Sequence, residues 1–505
     1  MIRSKALLGF ILATLTAACS AQVGGDDPQG RHLVPPRWWE SASAIVRVSI
    51  NPDTEGSQGK RPQFPIDPAK AGPILDDYKA RGVSAIEIFA PYHGGRSFGG
   101  LDSIDRFNLN PKVGTMEDFR ALVRLIHSKG MAVISFDNLG YSSSEAPEFL
   151  KAADDVRAGR DTAEARRFLW ADRADAPPPA PDYDKFFMVR PRHLPGGYDP
   201  VKGEFWEYSE RAGKYFWTKW GGPNLSGKFV RVPQYNWRSE EFQQYAERVV
   251  RFWMDTGLDG MIIDAVNWYV GHTWEQDRHR ITDVIRSYGN AYMQPEGGGA
   301  FHEDPVAWIT EGGWNSVQDY GLGIFWEKDS LVVQQAIDSG DPRPIERALL
   351  AYHDRVVAGG GVMYVATEAH ARSKDPERQR LAWAVSALAG NMVGVSPGGV
   401  LEDKEICRLL NMKAAHPAFY NISTRRHIPT GADDKHYAFL RTAKDGSQRV
   451  LVVMNFQSTP QTVQVDMSGV AGETLVDPTS GESLVRRNPF PVELPAYGYR
   501  FYHVK

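Results

Sequence analysis

Short apolar runs rich in β-branched residues alternate with amphipathic stretches in the first part of the chain. The strand-like runs are Ala44 to Ile50, Ala85 to Ala90 and Met131 to Asp137, and helical periodicity starts at Asp67 and again at Met116. Parallel strands need a long crossover connection, which is usually a helix. The alternation therefore predicts βα units around a parallel sheet.

The alternation breaks after Tyr141. A stretch rich in proline, glycine and aromatic residues follows, and the alternation resumes only after about Trp237. An excursion of that length inside a compact domain is usually a functional insertion. We therefore expect an inserted domain at about residues 142–237.

The helical periodicity disappears from Arg425 onward. Apolar runs such as Tyr437 to Thr442 and Arg449 to Phe456 are separated there by polar turns. This pattern predicts a small antiparallel β domain over residues 425–505.

The N-terminus has the pattern of an export signal. Basic residues precede an apolar run from Ala6 to Ala18, which is too short to span a bilayer but suits a signal peptide. The run ends at Leu15-Thr16-Ala17-Ala18-Cys19, which resembles a bacterial lipobox, so residues 1–19 predict a signal peptide with lipidation at Cys19. Segment 20–36 is rich in Gly, Asp, Gln and Pro and predicts a flexible tether. The mature protein is expected in the periplasm or on the outer membrane as a lipoprotein, with plain secretion as the alternative.

Composition narrows the function classes. The 505 residues are 42% hydrophobic and 24% charged with a net charge of -4, which is typical of a soluble globular body and leaves no broad basic surface for nucleic acid. The chain has 14 Trp, 20 Tyr and 23 Phe. Because the C–H faces of sugars stack on aromatic rings, this content suits an oligosaccharide partner.

One segment identifies a family. Residues Gly257 to Asn267 read GLDGMIIDAVN, a buried strand with Asp264 at its far end. In a parallel barrel, catalytic groups project from that end. The segment resembles the nucleophile strand of the α-amylase superfamily, glycoside hydrolase family 13. Other segments match in the same order, namely PYHG at 91–94, GTMEDF at 114–119 and HPAF at 416–419.

The resemblance implies a whole architecture. We expect a (β/α)8 TIM barrel over residues 37–424 and a C-terminal β-sandwich over 425–505. The aromatic segments at 214–217 and 233–237 resemble the inserted B domain of the oligo-1,6-glucosidase and trehalose-synthase branch. The segment at 51–56, where relatives have a calcium loop, lacks spaced acids, so we expect no metal and no cofactor.

The resemblance also implies a reaction. Asp264 matches the nucleophile of a retaining glycosidase, which needs a second carboxyl group about 5 to 5.5 Å away to protonate the leaving oxygen. Glu296 follows the next predicted strand and is our candidate general acid. Glu311 competes for this role, although it fits better on the strand after that. Asp259 matches a structural acid and is expected toward the other end of the nucleophile strand.

Several family residues are replaced. Ile262 stands where the family has the arginine that orients the nucleophile, and Phe136 and Tyr141 stand where it has Asp and His. Leu101 replaces the aromatic platform of the glucose site, although the neighbouring Asp102 is kept. The His-Asp pair after the seventh strand has no counterpart in residues 364–370.

Two interpretations follow, because an apolar residue beside a buried carboxylate raises the pKa of that acid and weakens a nucleophile. In the first, a rebuilt pocket binds a sugar other than a maltose-type or isomaltose-type glucoside. Its predicted binding residues are Tyr92, Asp102, Asp137, Tyr141, Glu368 and His370. In the second, the barrel has lost catalysis and is a surface glycan-binding protein of a polysaccharide uptake system. A transglycosylase or isomerase would use the same acids as a hydrolase, and the oligomeric state stays open.

Overall fold

The computed structural model describes most of the chain. The described residues are 29–52, 55–56, 59–60, 63–95, 100–177, 179, 205–223, 229–298, 304–322, 331–366, 373–478 and 480–505. The predicted lipidation residue Cys19 and the predicted binding residues Glu368 and His370 lie outside these ranges.

Eight parallel strands form the central sheet. In chain order they are Ala44–Val48, Val83–Phe89, Ala132–Asn138, Gly260–Asp264, Tyr292–Pro295, Ser316–Gln318, Val362–Val365 and Met392–Val395. The pairing order runs from the fifth strand through the fourth, third, second and first to the eighth, seventh and sixth. The first strand therefore pairs with the eighth as well as the second, which confirms the predicted TIM barrel.

Asn315 joins the two ends of this sheet, between the fifth and sixth strands. Its backbone N–H donates to the carbonyl of Met293 at 3.3 Å, and its Oδ1 accepts from the N–H of Met293 at 2.8 Å. The Tyr292 hydroxyl lies 2.9 Å from Ser316 Oγ. A side-chain amide thus takes the place of a ladder hydrogen bond where the barrel closes.

Helices follow the strands as the sequence pattern predicts. Asp67 caps the first helix by accepting from Ala69 N, and Thr115 and Asp118 form a reciprocal capping box on the second. The helices that surround the barrel are Pro68–Ala80, Met116–Ser128, Glu240–Met254, Trp274–Gln276 continued through a π-helical turn to Asp283–Arg286, Pro305–Thr310, Val332–Ser339, Arg343–Ala348 continued through a π-helical turn to Asp354–Ala358, Pro376–Ala389 and Lys404–Ala415.

The insertion after the third strand forms a small unit of its own. It contains helices Pro147–Arg157 and Ala163–Arg166 and an antiparallel sheet of strands Trp170–Ala171, Phe205–Ser209, Lys214–Pro223 and Phe229–Pro233. The chain leaves and re-enters the barrel at one point, because Ser142 N donates to Pro233 O at 2.9 Å. The insertion therefore stands at the C-terminal end of the third strand.

The C-terminal part is an antiparallel β domain with its own core. Six strands form one sheet, in the order Thr424–His427, His436–Thr442, Arg449–Asn455, Tyr499–Val504, Thr474–Val476 and Ser483–Val485. Strands Gln461–Val465 and Phe490–Leu494 form a second sheet. Residues of both sheets, such as Leu451 and Val463, share one buried apolar cluster.

The predicted tether ends earlier than expected. Residues 29–36 contact the barrel rather than extending from it: Arg31 Nε donates to Gly257 O at 3.2 Å, and Pro35 O accepts from Asn290 at 3.0 Å. Val34 is buried. The cause is that Val34 is an apolar residue within this polar segment and packs into the main hydrophobic core. In the described part of the chain, no helix has the length and apolar character to cross a membrane.

Candidate active site

Asp264 and Glu296 stand side by side at the C-terminal face of the barrel. Asp264 is the last residue of the fourth strand, and Glu296 directly follows the fifth. Both are partly exposed. The backbone ladder continues past the strands, with Glu296 N donating to Ile263 O at 2.8 Å, and Ala265 N donates to Glu296 Oε2 at 3.0 Å. The amide that follows Asp264 thus holds the Glu296 carboxylate beside it.

The turn after Asp264 is constrained. Ala265 has a φ of 48°, a left-handed conformation that costs energy for a residue with a Cβ. The Tyr269 hydroxyl donates to the Asp264 carbonyl at 2.5 Å and accepts from Leu139 N at 2.9 Å. This tyrosine therefore ties the turn after the fourth strand to the turn after the third.

The electrostatic surroundings of Asp264 oppose its ionisation. Burial raises the pKa of this carboxyl well above its usual value, and the charge of Glu296 raises it further. A hydrogen bond from the Tyr141 hydroxyl to Asp264 Oδ2, at 3.3 Å, and the positive charge of Arg47 act in the opposite direction. Two neighbouring carboxyl groups in such a site tend to share one proton, which separates an acid from a base.

Arg106 contacts two of the predicted binding residues. Its Nη1 lies 3.2 Å from Asp137 Oδ1, and its Nη2 donates to the Tyr141 carbonyl at 2.8 Å. Burial raises the pKa of Asp137 to about 6, although Arg106 and the Asn138 amide lower it. All three side chains are almost completely buried. The buried arginine therefore fixes two of the predicted binding residues in one network.

Tyr92 and Asp102 lie in the same neighbourhood. The Tyr92 hydroxyl donates to Leu101 O at 3.0 Å, and its ring lies 5.1 Å from the Arg106 guanidinium. Burial raises the pKa of Tyr92, and the charges of Asp137, Asp264 and Asp102 raise it further. Four predicted binding residues (Tyr92, Asp102, Asp137, Tyr141) are thus grouped around Asp264, and direct contact with a sugar stays a prediction for each.

The structure corrects the placement of Glu311. We expected it on a strand, but it is the C-terminal cap of helix Pro305–Thr310 and is exposed. Its carbonyl accepts from the Arg278 side chain at 2.9 Å. The prediction failed because the apolar run before Glu311 is a short helix, and periodicity alone does not separate short helices from strands.

Sequence reasoning missed Arg47, Arg106 and Tyr269. Arg47 had a visible signal, since it is a charged residue within an otherwise apolar strand. Arg106 and Tyr269 lie in connections between strands, where nothing in the local sequence marks them as part of a site. Ile262 is completely buried in the strand that carries Asp264.

Comparison with known families agrees with this geometry. Residues 75–298 match the alpha amylase catalytic domain, and residues 426–501 match the maltogenic amylase C-terminal domain. The first match ends just after Glu296 and contains both candidate carboxylates. The second covers most of the antiparallel domain.

Curated relatives are similar at low identity. The chain is 23% identical over 193 residues to an oligo-1,6-glucosidase of Parageobacillus thermoglucosidasius, covering 38% of this chain and 30% of that protein. It is 25% identical over 234 residues to the trehalose synthase/amylase TreS of Mycobacterium tuberculosis, covering 46% of this chain and 33% of that one. The chain therefore spans about a third of the length of these relatives.

Solved structures share the fold over almost the whole chain. Amy13B of Eubacterium rectale superposes with a TM-score of 0.68 at 15% identity, covering 94% of this chain and 98% of that one. The trehalose-6-phosphate hydrolase of Bacillus licheniformis superposes with a TM-score of 0.65 at 14% identity, covering 93% and 100%. The chain thus carries two matched domains in this order, an alpha amylase catalytic domain over residues 75–298 and a maltogenic amylase C-terminal domain over residues 426–501, and its fold is similar to that of α-amylase family structures.

Proposed function

We propose that this protein is a retaining glycosidase that acts on short α-linked oligosaccharides. The observation that carries the proposal is the pair Asp264 and Glu296, which lie at the ends of adjacent barrel strands and are joined through the Ala265 amide. The general class is that of the family, whose members include glycosidases.

The two carboxyl groups divide the reaction between them. Ionised Asp264 attacks the anomeric carbon while protonated Glu296 gives its proton to the leaving oxygen, so that a glycosyl ester forms as the glycosidic bond breaks. Ionised Glu296 then takes a proton from water, whose oxygen attacks the anomeric carbon and releases Asp264. Each displacement inverts the anomeric carbon, so the two steps together retain the anomeric configuration.

Matched isosteric variants test this assignment. Asp264→Asn and Glu296→Gln should each lower kcat by at least about 10²-fold on an aryl α-glycoside that the wild type cleaves. Glu311→Gln is the control and should keep full turnover, since Glu311 caps an exposed helix end. Proton NMR of the first product reports retention. Full turnover of either catalytic variant contradicts the assignment.

The substrate is proposed to differ from a plain maltose-type or isomaltose-type glucoside. Leu101 and Tyr141 occupy positions where the family binds glucose through a platform and a histidine, and each lost hydrogen bond costs about 0.5 to 1.5 kcal/mol. Screening aryl α-glycosides of several sugars beside maltose and isomaltose decides the matter. Efficient cleavage of either disaccharide rules this proposal out.

A second candidate is a catalytically silent surface glycan-binding protein. The observation in its favour is the raised pKa of Asp264, because a protonated carboxyl is a poor nucleophile. Glycan binding by calorimetry without any product after prolonged incubation supports this candidate, whereas cleavage that Glu296→Gln abolishes excludes it. A transglycosylase or isomerase shares both acids, and product analysis with an added sugar acceptor separates these activities from hydrolysis.

The proposed location is a membrane surface outside the cytoplasm, reached through lipidation of Cys19. Acyl chains add membrane affinity with each buried CH₂ group, so more than one chain anchors a protein stably. Cys19→Ser should release the protein into the soluble fraction. Unchanged fractionation, together with a mature N-terminus other than Cys19, indicates plain secretion instead.

A further inference from the structure

A charge pair lies inside the barrel. Arg47 on the first strand and Glu87 on the second are register partners, and Arg47 Nε lies 2.5 Å from Glu87 Oε1. Glu87 is completely buried, whereas 24% of the Arg47 side chain is exposed. Barrel interiors are usually filled by bulky apolar residues, and a buried ion pair rarely adds net stability. Net stability therefore does not account for the presence of this charge pair inside the barrel.

The strand register shows which way the pair faces. Phe89 is two residues beyond Glu87, it pairs with Phe136, and Phe136 pairs with Ile262 on the fourth strand. Alternate residues of a strand share a face, so Arg47, Glu87 and these three residues all project to the side from which Asp264 projects. These five residues form a column of side chains that runs from the charge pair toward Asp264 at the end of the fourth strand.

The Arg47 guanidinium is held in a defined orientation within this column. Its centre lies 4.5 Å from the Phe136 ring and 5.7 Å from the Phe89 ring, and the two rings stack on each other at 5.0 Å. A guanidinium on an aromatic face gains cation–π attraction. Phe136 occupies the position where the family has an acid, and here its ring supports a cation.

We propose that Arg47 is a positioning residue that supplies, from the first strand, the positive charge that Ile262 cannot give Asp264. The proposal rests on the catalytic role of Asp264 proposed above. It explains how the site tolerates an isoleucine beside the nucleophile, because the cation has moved to another strand while remaining inside the barrel.

The groups with the largest influence on the pKa of Asp264 differ in the direction of their effect. Glu296 and Asp137 raise the pKa of Asp264, whereas the Tyr141 hydroxyl and Arg47 lower it. The phenols of Tyr269 and Tyr92 have pKa values raised by burial, so they stay neutral. Arg106 is directed to Asp137, where it makes an ion pair. Among the largest influences on the pKa of Asp264, Arg47 is the cation.

Opposite charge changes in the pair give a sharp test. Arg47→Met removes the cation, so the acid limb of the kcat/KM pH profile should move to higher pH, with about a tenfold loss just above the wild-type limb. Glu87→Gln removes the neutralising anion and should move the limb to lower pH. Arg47→Lys should restore most of the wild-type profile. A limb that stays in place in Arg47→Met, or that moves in the same direction in both variants, overturns the proposal.

A second readout separates this proposal from the proposed function. The infrared band of a protonated carboxyl that disappears in Asp264→Asn reports the titration of Asp264 without any turnover. This titration should shift to higher pH in Arg47→Met, and by a smaller amount in the double variant Arg47→Met/Glu87→Leu, because the double variant removes the anion as well as the cation. The double variant contains no unpaired charge, so it serves as the test if the single variant fails to fold. An unshifted band overturns the role of Arg47. Loss of the proposed function appears differently, as turnover that survives Asp264→Asn.

Discussion

Two aspartates at opposite ends of one barrel strand, five positions apart, have opposite electrostatic surroundings. Asp259 precedes the fourth strand at the N-terminal face, and Asp264 ends it at the C-terminal face. Asp259 Oδ2 accepts from Val133 N and lies 2.8 Å from His127 Nε2, so its charge is paired. Asp264 instead faces a second acid and is partly exposed.

This difference between the two aspartates shows that the two faces of the barrel have separate roles, one in stability and the other in the proposed chemistry. At the N-terminal face, His127 also contacts the Gln29 carbonyl, and both His127 and Asp259 are buried. At the C-terminal face the Ala265 amide donates to Glu296, the Tyr141 hydroxyl donates to Asp264 over a longer distance, and both carboxylates are partly exposed. Catalytic groups of this fold lie at the C-terminal face, and groups at the other face stabilise it.

The same isosteric change at the two sites should give opposite results. Asp259→Asn leaves His127 without its anionic partner in a buried position, which should cost about 3 to 5 kcal/mol of unfolding free energy. Urea unfolding followed by fluorescence measures this loss. Turnover per folded molecule should stay at the wild-type level, and a large fall in kcat would show that the two faces are not independent.

Tyr141→Phe should affect chemistry more than stability. The hydroxyl bond to Asp264 is long at 3.3 Å, so its loss should lower kcat/KM by between about twofold and tenfold. Because this bond lowers the pKa of Asp264, the acid limb of the pH profile should also move to higher pH. Tyr269→Phe, which alters the bond to the Asp264 carbonyl rather than to the carboxylate, is the matched comparison. An unmoved limb in Tyr141→Phe would remove this residue from the site.

Asp264→Asn should stabilise the protein at neutral pH. The folded-state pKa of Asp264 is raised, so the folded protein binds the proton more tightly and loses stability as pH rises toward that pKa. The variant lacks this loss. Its Tm should therefore exceed that of the wild type at pH 7, and the difference should disappear as the pH falls to the unfolded value of about 3.9. A lower Tm at pH 7 contradicts the picture of a strained, functional carboxylate.

The smallest expected effect is a pH dependence at the N-terminal face. Burial lowers the pKa of His127, but the hydrogen bond and charge of Asp259 outweigh burial and raise the pKa above its usual value. The ionic contribution is therefore complete below about pH 6.5 and is lost as pH rises through the folded-state pKa. The stability gap between the wild type and Asp259→Asn should narrow on the alkaline side. A gap that stays constant there would mean that His127 is neutral throughout.

The sequence alone determined the architecture and the two catalytic candidates. Apolar runs alternating with capped amphipathic helices predict βα units and a parallel sheet, because burial of one face and satisfied helix ends are local requirements, and the family resemblance implies that this sheet is a barrel. Asp264 and Glu296 follow from the resemblance to the α-amylase superfamily, and the structure places each at or directly after the end of a parallel strand. The disappearance of helical periodicity after Arg425 likewise marked the antiparallel domain.

Only the tertiary structure decided what surrounds these acids. Arg47 comes from the first strand, Arg106 from the connection after the second and Tyr269 from the turn after the fourth, and no local pattern links them. Inside the barrel, the Arg47 guanidinium contacts Phe136 of the third strand, which pairs with the fourth strand. Arg47 can therefore act on Asp264 although the two residues are distant in sequence. The sequence showed that Ile262 carries no charge. Which other residue supplies positive charge to Asp264 depends on strand register and side-chain packing, and these are properties of the whole barrel.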